Sequence, residues 1–341
     1  MTQPGTPSLN LLTDIAGVRV GHAHDTALAS GVTAVVFERG AVASISIQGG
    51  APGVRDTGFL EPDMTVDVVE AIVLSGGSTY GLDAAGGVQA WLRENGYGQR
   101  FGPALIAKAP QAILFDLANG GNKDWGRFTP YRDLGFVAAA NARSGAFEVG
   151  TAGAGYGATT VNLKGGLGSA STVTPRGFRV AAIAAVNAVG SATIGDSPHF
   201  WAAPYEVGAE YGGRGQPARV TPEALRLWIK GGPPPSASPP STTIALVVTD
   251  ATLDKAQAKR LAIAAHDGLA RALRPAHAPM DGDTVFAAAT GEKDLDIPIY
   301  DLTEIGLAAA DCLARAIARG VYEATALPFP GALPAWKDKW G

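Results

Sequence analysis

Residues 231–240 read GGPPPSASPP, with five prolines in ten positions. Proline fixes φ and has no N–H, so this stretch can join neither a helix interior nor a central strand. It reads as an exposed, extended connector. The next residues, Ser241-Thr242-Thr243, run straight into the apolar segment 243–248, TIALVV. Its β-branched residues read as a buried strand. A loose segment therefore enters a rigid strand within two or three residues. Two readings follow: a linker between folded units, or a processing site at the junction. Threonine is common in strands, so Thr242 gains interest only from this setting.

Other runs give the same strand signal: Val32 to Phe37, Ala71 to Leu74 and Arg179 to Val186. Helical spacing predicts helices over Thr79 to Glu94, Leu253 to Leu273 and Thr303 to Tyr322, the first capped by Ser78 or Thr79. Strands followed by helices imply sheets covered by helices, an α/β or α+β class. The chain has 341 residues and is 46% apolar and 17% charged, ample for a large core and far from a disordered composition. Net charge is −4 with no basic run, so nucleic-acid binding has no electrostatic footprint. The lone Cys312 excludes an intramolecular disulfide and a CxxC motif, and it reads as core filler. The N-terminus does not read as a secretory signal, and the most apolar stretch, Val180 to Ile194, is too short to span a bilayer. The expectation is a cytoplasmic protein without a membrane partner.

Several chemical signals are weak. Gly153 to Gly157 and Gly76-Gly77-Ser78 lack the GxGxxG context of a dinucleotide loop and read as packing or close approach. His22 and His24 have no third ligand nearby, so a metal site is not expected. Asp196-Ser197-Pro198-His199 places a hydroxyl beside an imidazole, but closeness in sequence is not triad geometry. Met280-Asp281-Gly282-Asp283-Thr284 precedes the strand Val285 to Ala289. Its aspartates read equally as turn formers or as carboxylates that orient an amine or hydroxyl.

Taken together, LTDIAGVRVGH (12–22), GGAPGVRDT (49–57), AIVLSGGSTYGLDAAGGV (71–88), GTAGAGYGAT (150–159), KGGLGSAS (164–171), AAVNAVG (184–190), STTIALVVTDA (241–251) and MDGDTVFAAATG (280–291) resemble the DmpA-like group of L-aminopeptidase/D-esterases. That group includes β-peptidyl aminopeptidases and nylon-oligomer (6-aminohexanoate) hydrolases. Each motif is weak alone; eight in one order over residues 12–320 are specific.

The resemblance implies an α+β, four-layer αββα sandwich like that of the N-terminal-nucleophile hydrolases and ornithine acetyltransferases. It implies one self-processing unit that cleaves between Ser241 and Thr242 into chains 1–241 and 242–341. Thr242 would be the nucleophile, Asn187 an oxyanion donor, and Asp281 and Asp283 the orienting carboxylates. Near the family's lysine this sequence departs from the pattern: an ungapped count gives Asn162, and the nearest lysine is Lys164. Phe115 stands where some relatives carry tyrosine, and Ser241 where Asn or Gly usually precedes the nucleophile. The implied substrate is a small peptide or amide, no metal or organic cofactor is required, and a homo-oligomer, such as a tetramer, is expected. Acyl transfer of the ornithine acetyltransferase kind and an unprocessed, non-catalytic protein are the alternatives.

A free Thr242 α-amine has a reference pKa of about 7.7–8.0, so it can serve as the base for its own hydroxyl. Two carboxylates beside that amine would raise its pKa, so the chemistry also needs a balancing cation or desolvation.

Overall fold

A computed structural model describes residues 9–232 and 241–341. Most of the proline-rich connector, residues 233–240, lies outside the described residues. The strands are β1 (Val18–Asp25), β2 (Ser30–Ile47), β3 (Val54–Arg55), β4 (Val68–Ser75), β5 (Gln99–Phe101), β6 (Ala104–Ile106), β7 (Gln111–Ile113), β8 (Gly166–Val173), β9 (Arg179–Asn187), β10 (Thr242–Ala251) and β11 (Thr284–Lys293). The helices are α1 (Ser78–Gly81), α2 (Ala84–Glu94), α3 (Tyr131–Ala140), α4 (Lys255–Ala272), α5 (Pro298–Tyr322) and α6 (Trp336–Trp340).

Strand β2 organises the sheet. Its residues 30–37 pair with β1, and its residues 42–47 pair along the same edge with β11. Against β4 the register shifts between Val36 and Ala41. One half of the sheet continues through β4, β7 and β3, the other through β11, β10, β9 and β8. Side chains alternate between faces along each strand, and here both faces are apolar. Val35, Ile45, Ile72, Leu74, Ile183 and Leu246 meet in one core shared by the two halves. The alternate residues Val180, Ala182, Ala184, Ala245 and Val247 pack against α4 and α5. Val32, Ala34, Ala71 and Val73 pack against α2 and α3. The layers are helix, sheet, sheet, helix, which is the expected αββα sandwich. Strands buried on both sides explain why the sequence shows near-continuous apolar runs there.

Helix α4 begins where its sequence asks it to. Asp254 accepts from the Gln257 N–H at 2.7 Å, and the Gln257 side chain accepts from the Asp254 N–H at 2.9 Å. Such a cap contributes about 1 kcal/mol. Helix α5 carries Cys312 into the core, as read from the sequence. It lies almost on the backbone of β8: a Cβ on Gly168 would fall 1.9 Å from the Ala316 carbonyl oxygen.

The expected helix over Thr79 to Glu94 is two helices, α1 and α2, parted at Leu82 and Asp83. Neither Ser78 nor Thr79 caps the first. The cap is Gly77 at φ 86°, followed by Ser78 at φ 53°. The chain leaves β4 through two left-handed residues, and a glycine adopts that conformation without a Cβ penalty. Among the described residues no helix is long and apolar enough to cross a membrane.

Candidate active site

Sheet register assembles the site. Strand β10 starts at Thr242, which pairs across the antiparallel ladder with Asn187, the last residue of β9. On its other side β10 runs parallel to β11, with Ile244 opposite Thr284. That register places the 280–283 loop beside the 241–242 junction. Ser241 bridges to Asp281, and its N–H donates to the Met280 carbonyl at 3.3 Å. The Ser241 carbonyl oxygen accepts from the Gly282 N–H at 2.8 Å. Thr242 is 3% exposed, and its hydroxyl lies against that same carbonyl oxygen. Gly282 leaves the room for this: a Cβ there would sit 2.7 Å from Thr242 Oγ1 and 2.8 Å from the Ala51 oxygen.

The two aspartates of the loop differ in their partners. Asp283 Oδ1 accepts from the Thr243 N–H at 2.8 Å, while its Oδ2 accepts from the His277 N–H at 2.9 Å and faces His277 Nδ1 at 2.9 Å. Asp281 accepts two longer bonds, both 3.3 Å, from the Val189 and Ala278 N–H groups. Burial, and then the charge of Asp283, push the Asp281 carboxyl up to about 7. The sequence left these residues open between turn formers and site residues. Asp281 does close a turn, donating its N–H to the Ala278 carbonyl, yet both aspartates are buried, Asp281 bridged to Ser241 through the backbone and Asp283 bonded to the Thr243 N–H.

Asn187 is fully buried. Its Oδ1 accepts from the Thr159 N–H at 3.0 Å, Asn119 Nδ2 at 3.2 Å and Lys230 Nζ at 3.2 Å. Its Nδ2 donates to the Phe115 carbonyl at 2.8 Å. One amide N–H is thus committed, and three donors fix which end of the amide is oxygen. The backbone at Phe115 touches the site, whereas its side chain has no phenol to offer.

Lys164 is buried at 2% exposure and donates to the Gly155 and Gly165 carbonyls at 3.0 and 2.9 Å. It bridges to Thr159, the residue whose N–H reaches Asn187. Asn162 points elsewhere, to Thr160, Ser191 and Thr193. Lys230 was not singled out from the sequence. Its Nζ donates to both the backbone and side-chain oxygens of Asn187, and its charge acts on Asp281. Burial lowers both lysines to about 7, an effect partly opposed by Asp116 for Lys164 and by Asp281 for Lys230. Asn119 and His277 were missed as well. Lys230 had a signal, being the last charged residue before the connector.

The weaker motifs have local roles. His22 Nδ1 meets Thr33 Oγ1 at 3.0 Å, and the His24 ring stacks on Tyr156 at 4.4 Å. Ser197 Oγ donates to the Ile194 carbonyl at 2.7 Å, and His199 Nδ1 donates to Gly215 at 2.9 Å.

The structure thus gathers a buried hydroxyl, the carbonyl that precedes it, two aspartates and a fixed carboxamide at one junction, and the family that the chain matches is one of hydrolases acting on peptide or amide bonds. The sequence model of peptidase family S58 matches residues 10–332, and the chain belongs to that family. It is 40% identical to an uncharacterised aminopeptidase of Mycobacterium bovis over 97% of this chain and 98% of the relative. It is 29% identical to a 6-aminohexanoate-oligomer endohydrolase of Paenarthrobacter ureafaciens, over 83% of this chain and 75% of the relative. The solved L-aminopeptidase D-Ala-esterase/amidase of Ochrobactrum anthropi, described as a variant of the Ntn hydrolase fold, superposes with a TM-score of 0.71 at 22% identity. That match covers 98% of this chain and 93% of the other. At this identity it establishes the sandwich architecture.

Proposed function

We propose that the chain cleaves itself between Ser241 and Thr242 and that the freed Thr242 then hydrolyses amide bonds of short peptides or ω-amino-acid oligomers. One observation carries the reading. The Ser241 carbonyl oxygen receives the Gly282 N–H at 2.8 Å while the Thr242 hydroxyl rests against it. A donor already aimed at the oxygen that would become negative is what an acyl transfer needs. In the first event, Thr242 Oγ forms a bond to the Ser241 carbonyl carbon and the C–N bond breaks. The hydroxyl proton ends on the departing nitrogen, and the resulting ester is hydrolysed by water. The products are a Ser241 carboxylate and a Thr242 amine.

That amine then acts as base for its own hydroxyl in each turnover. The charge balance demanded by two nearby carboxylates is met from two directions. Asp281, at about 7, is partly protonated near neutrality, and Lys230, lowered by burial to about 7, supplies a partial positive charge at Asn187. Asn187 presents its remaining amide N–H as an oxyanion donor, and Lys164 fixes the Gly155 and Gly165 carbonyls behind it. The substrate class follows the names of the relatives, aminopeptidase and 6-aminohexanoate-oligomer endohydrolase.

Intact-mass analysis of purified active protein tests the proposal. The expected result is two chains, 1–241 and 242–341. Full activity in a single chain of undivided mass would overturn it.

A further inference from the structure

His277 lies outside every motif that marks the site, yet it is joined to it by short bonds. Its backbone N–H and its ring Nδ1 both meet Asp283 Oδ2 at 2.9 Å. The other oxygen of that carboxylate takes the Thr243 N–H at 2.8 Å. Asp283 is 1% exposed and its backbone carbonyl accepts from Gln48 and Gly49, so the carboxylate has little freedom of its own. The far side of the imidazole is held too. The His266 ring packs edge-on to it, with centroids 4.9 Å apart, and His266 Nε2 is anchored on the Ser46 carbonyl at 2.9 Å. His277 adopts φ 57°, a left-handed conformation in which Asn, Asp and His are enriched among non-glycine residues.

We propose that His277 is a positioning residue of the Thr242 site: its Nδ1–H fixes the Asp283 carboxylate, which through the Thr243 N–H holds the start of β10 in register with Asn187 and the Gly282 N–H. The inference rests on the nucleophile reading above. Since Asp283 accepts at Oδ2, the proton of the imidazole sits on Nδ1. The relay therefore runs from α4 through two imidazoles and one carboxylate to the backbone next to the nucleophile. A displacement of a reacting group by about 1 Å costs on the order of a hundredfold in rate, so a second-layer contact of this kind reads out in kcat.

The test compares His277→Asn with His277→Gly. Asparagine keeps a side-chain donor and tolerates φ > 0. Glycine keeps the backbone conformation and removes the donor. The expected result is processing and kcat within about threefold of the parent for Asn, and a kcat loss of about tenfold to a hundredfold with little change in KM for Gly. Added imidazole should restore part of the Gly variant's kcat, which a purely structural role would not allow. A Gly variant that folds, with parental kcat and no response to imidazole, overturns the proposal. If glycine prevents folding, the Asn variant decides: a folded Asn protein that loses activity as a Thr242→Ala protein does would show that donation to Asp283 is not what His277 supplies. A parent protein that is active but undivided would instead sink the nucleophile reading and leave the His277 kinetics to be judged on their own.

Discussion

Two places in this molecule bring together a hydroxyl, a carboxylate and an imidazole. At Asp196-Ser197-Pro198-His199 they are neighbours in sequence; at Thr242, Asp283 and His277 the hydroxyl stands at the start of β10 and the other two come from the loop before β11, tied to β10 through the Thr243 N–H. In the first, every group is occupied in local work. Ser197 closes a turn on Ile194, His199 binds Gly215, and Asp196 is an exposed partner of Lys339. In the second, all three are buried or half-buried, and the hydroxyl faces the carbonyl of its own preceding residue. On the proposed reading, a reactive constellation is recognised by where the polar groups are aimed and how dry they are, not by how close they lie along the chain.

The largest test of that contrast is Thr242→Ala. It should stay undivided and lose activity by about a millionfold, into the background. Intact mass and a turnover assay on the same preparation read both effects. A divided Thr242→Ala protein would move the nucleophile, with Thr243 the first alternative. Next comes Gly282→Ala. Its Cβ would press on Thr242 Oγ1 and on the Ala51 oxygen, both under 3 Å. Processing should slow by about a hundredfold, seen as undivided precursor over a time course. Processing at the parental rate would mean that the junction has more room than the geometry allows.

Much of the contrast was hidden in the sequence for definite reasons. The sheet-and-helix class was legible because strands buried on both faces leave long apolar runs, as in 179–186 and 243–248, whereas the sandwich itself was implied only by the resemblance of eight ordered motifs. Thr242 and the two aspartates stood out beside breaks in pattern, a proline run and a DGD turn. Asn119 and His277 did not, and Lys230 offered only its place before the connector, since their roles come from contacts made across the fold. Asn119 reaches Asn187 from the loop after β7, and Lys230 enters from the segment leading to the connector. No periodicity encodes such meetings. The start of the 79–94 helix was misread because Ser78 looks like an N-cap, while the backbone turn it occupies is left-handed.

A smaller effect separates the buried site from the turn by pH. Asp281 has a folded-state pKa raised to about 7. A carboxyl raised in this way contributes stability that is fully present below its unfolded value and is lost as pH rises through about 7. The lysines act in the opposite sense. Lys164 and Lys230, lowered to about 7, cost stability near neutrality that is recovered as pH climbs towards the ordinary lysine range. Thermal stability should therefore dip around neutral pH. Asp281→Asn should flatten the acidic limb, and Lys230→Met the alkaline one. Melting curves from pH 5 to 10 check this, and an unaltered acidic limb in Asp281→Asn would place the titration elsewhere.

The smallest expected effect belongs to the turn, and it is the one that most sharpens the comparison. Ser197→Ala removes a hydroxyl whose bond to the Ile194 carbonyl is typical of a turn. A net hydrogen bond of this type contributes about 1 kcal/mol, so the melting temperature should fall by about 1–2 °C for a chain of this size. Processing and kcat/KM should match the parent, because among the described residues the Ser197 hydroxyl and the His199 ring bond to Ile194 and Gly215, away from the junction at Thr242. A catalytic defect in Ser197→Ala with unchanged stability would reverse the assignment of the two regions, making the sequence-adjacent pair the reactive one. A stability loss with intact turnover would confirm that this hydroxyl only shapes a loop, even though its chemistry is the same as that of the threonine at the start of β10.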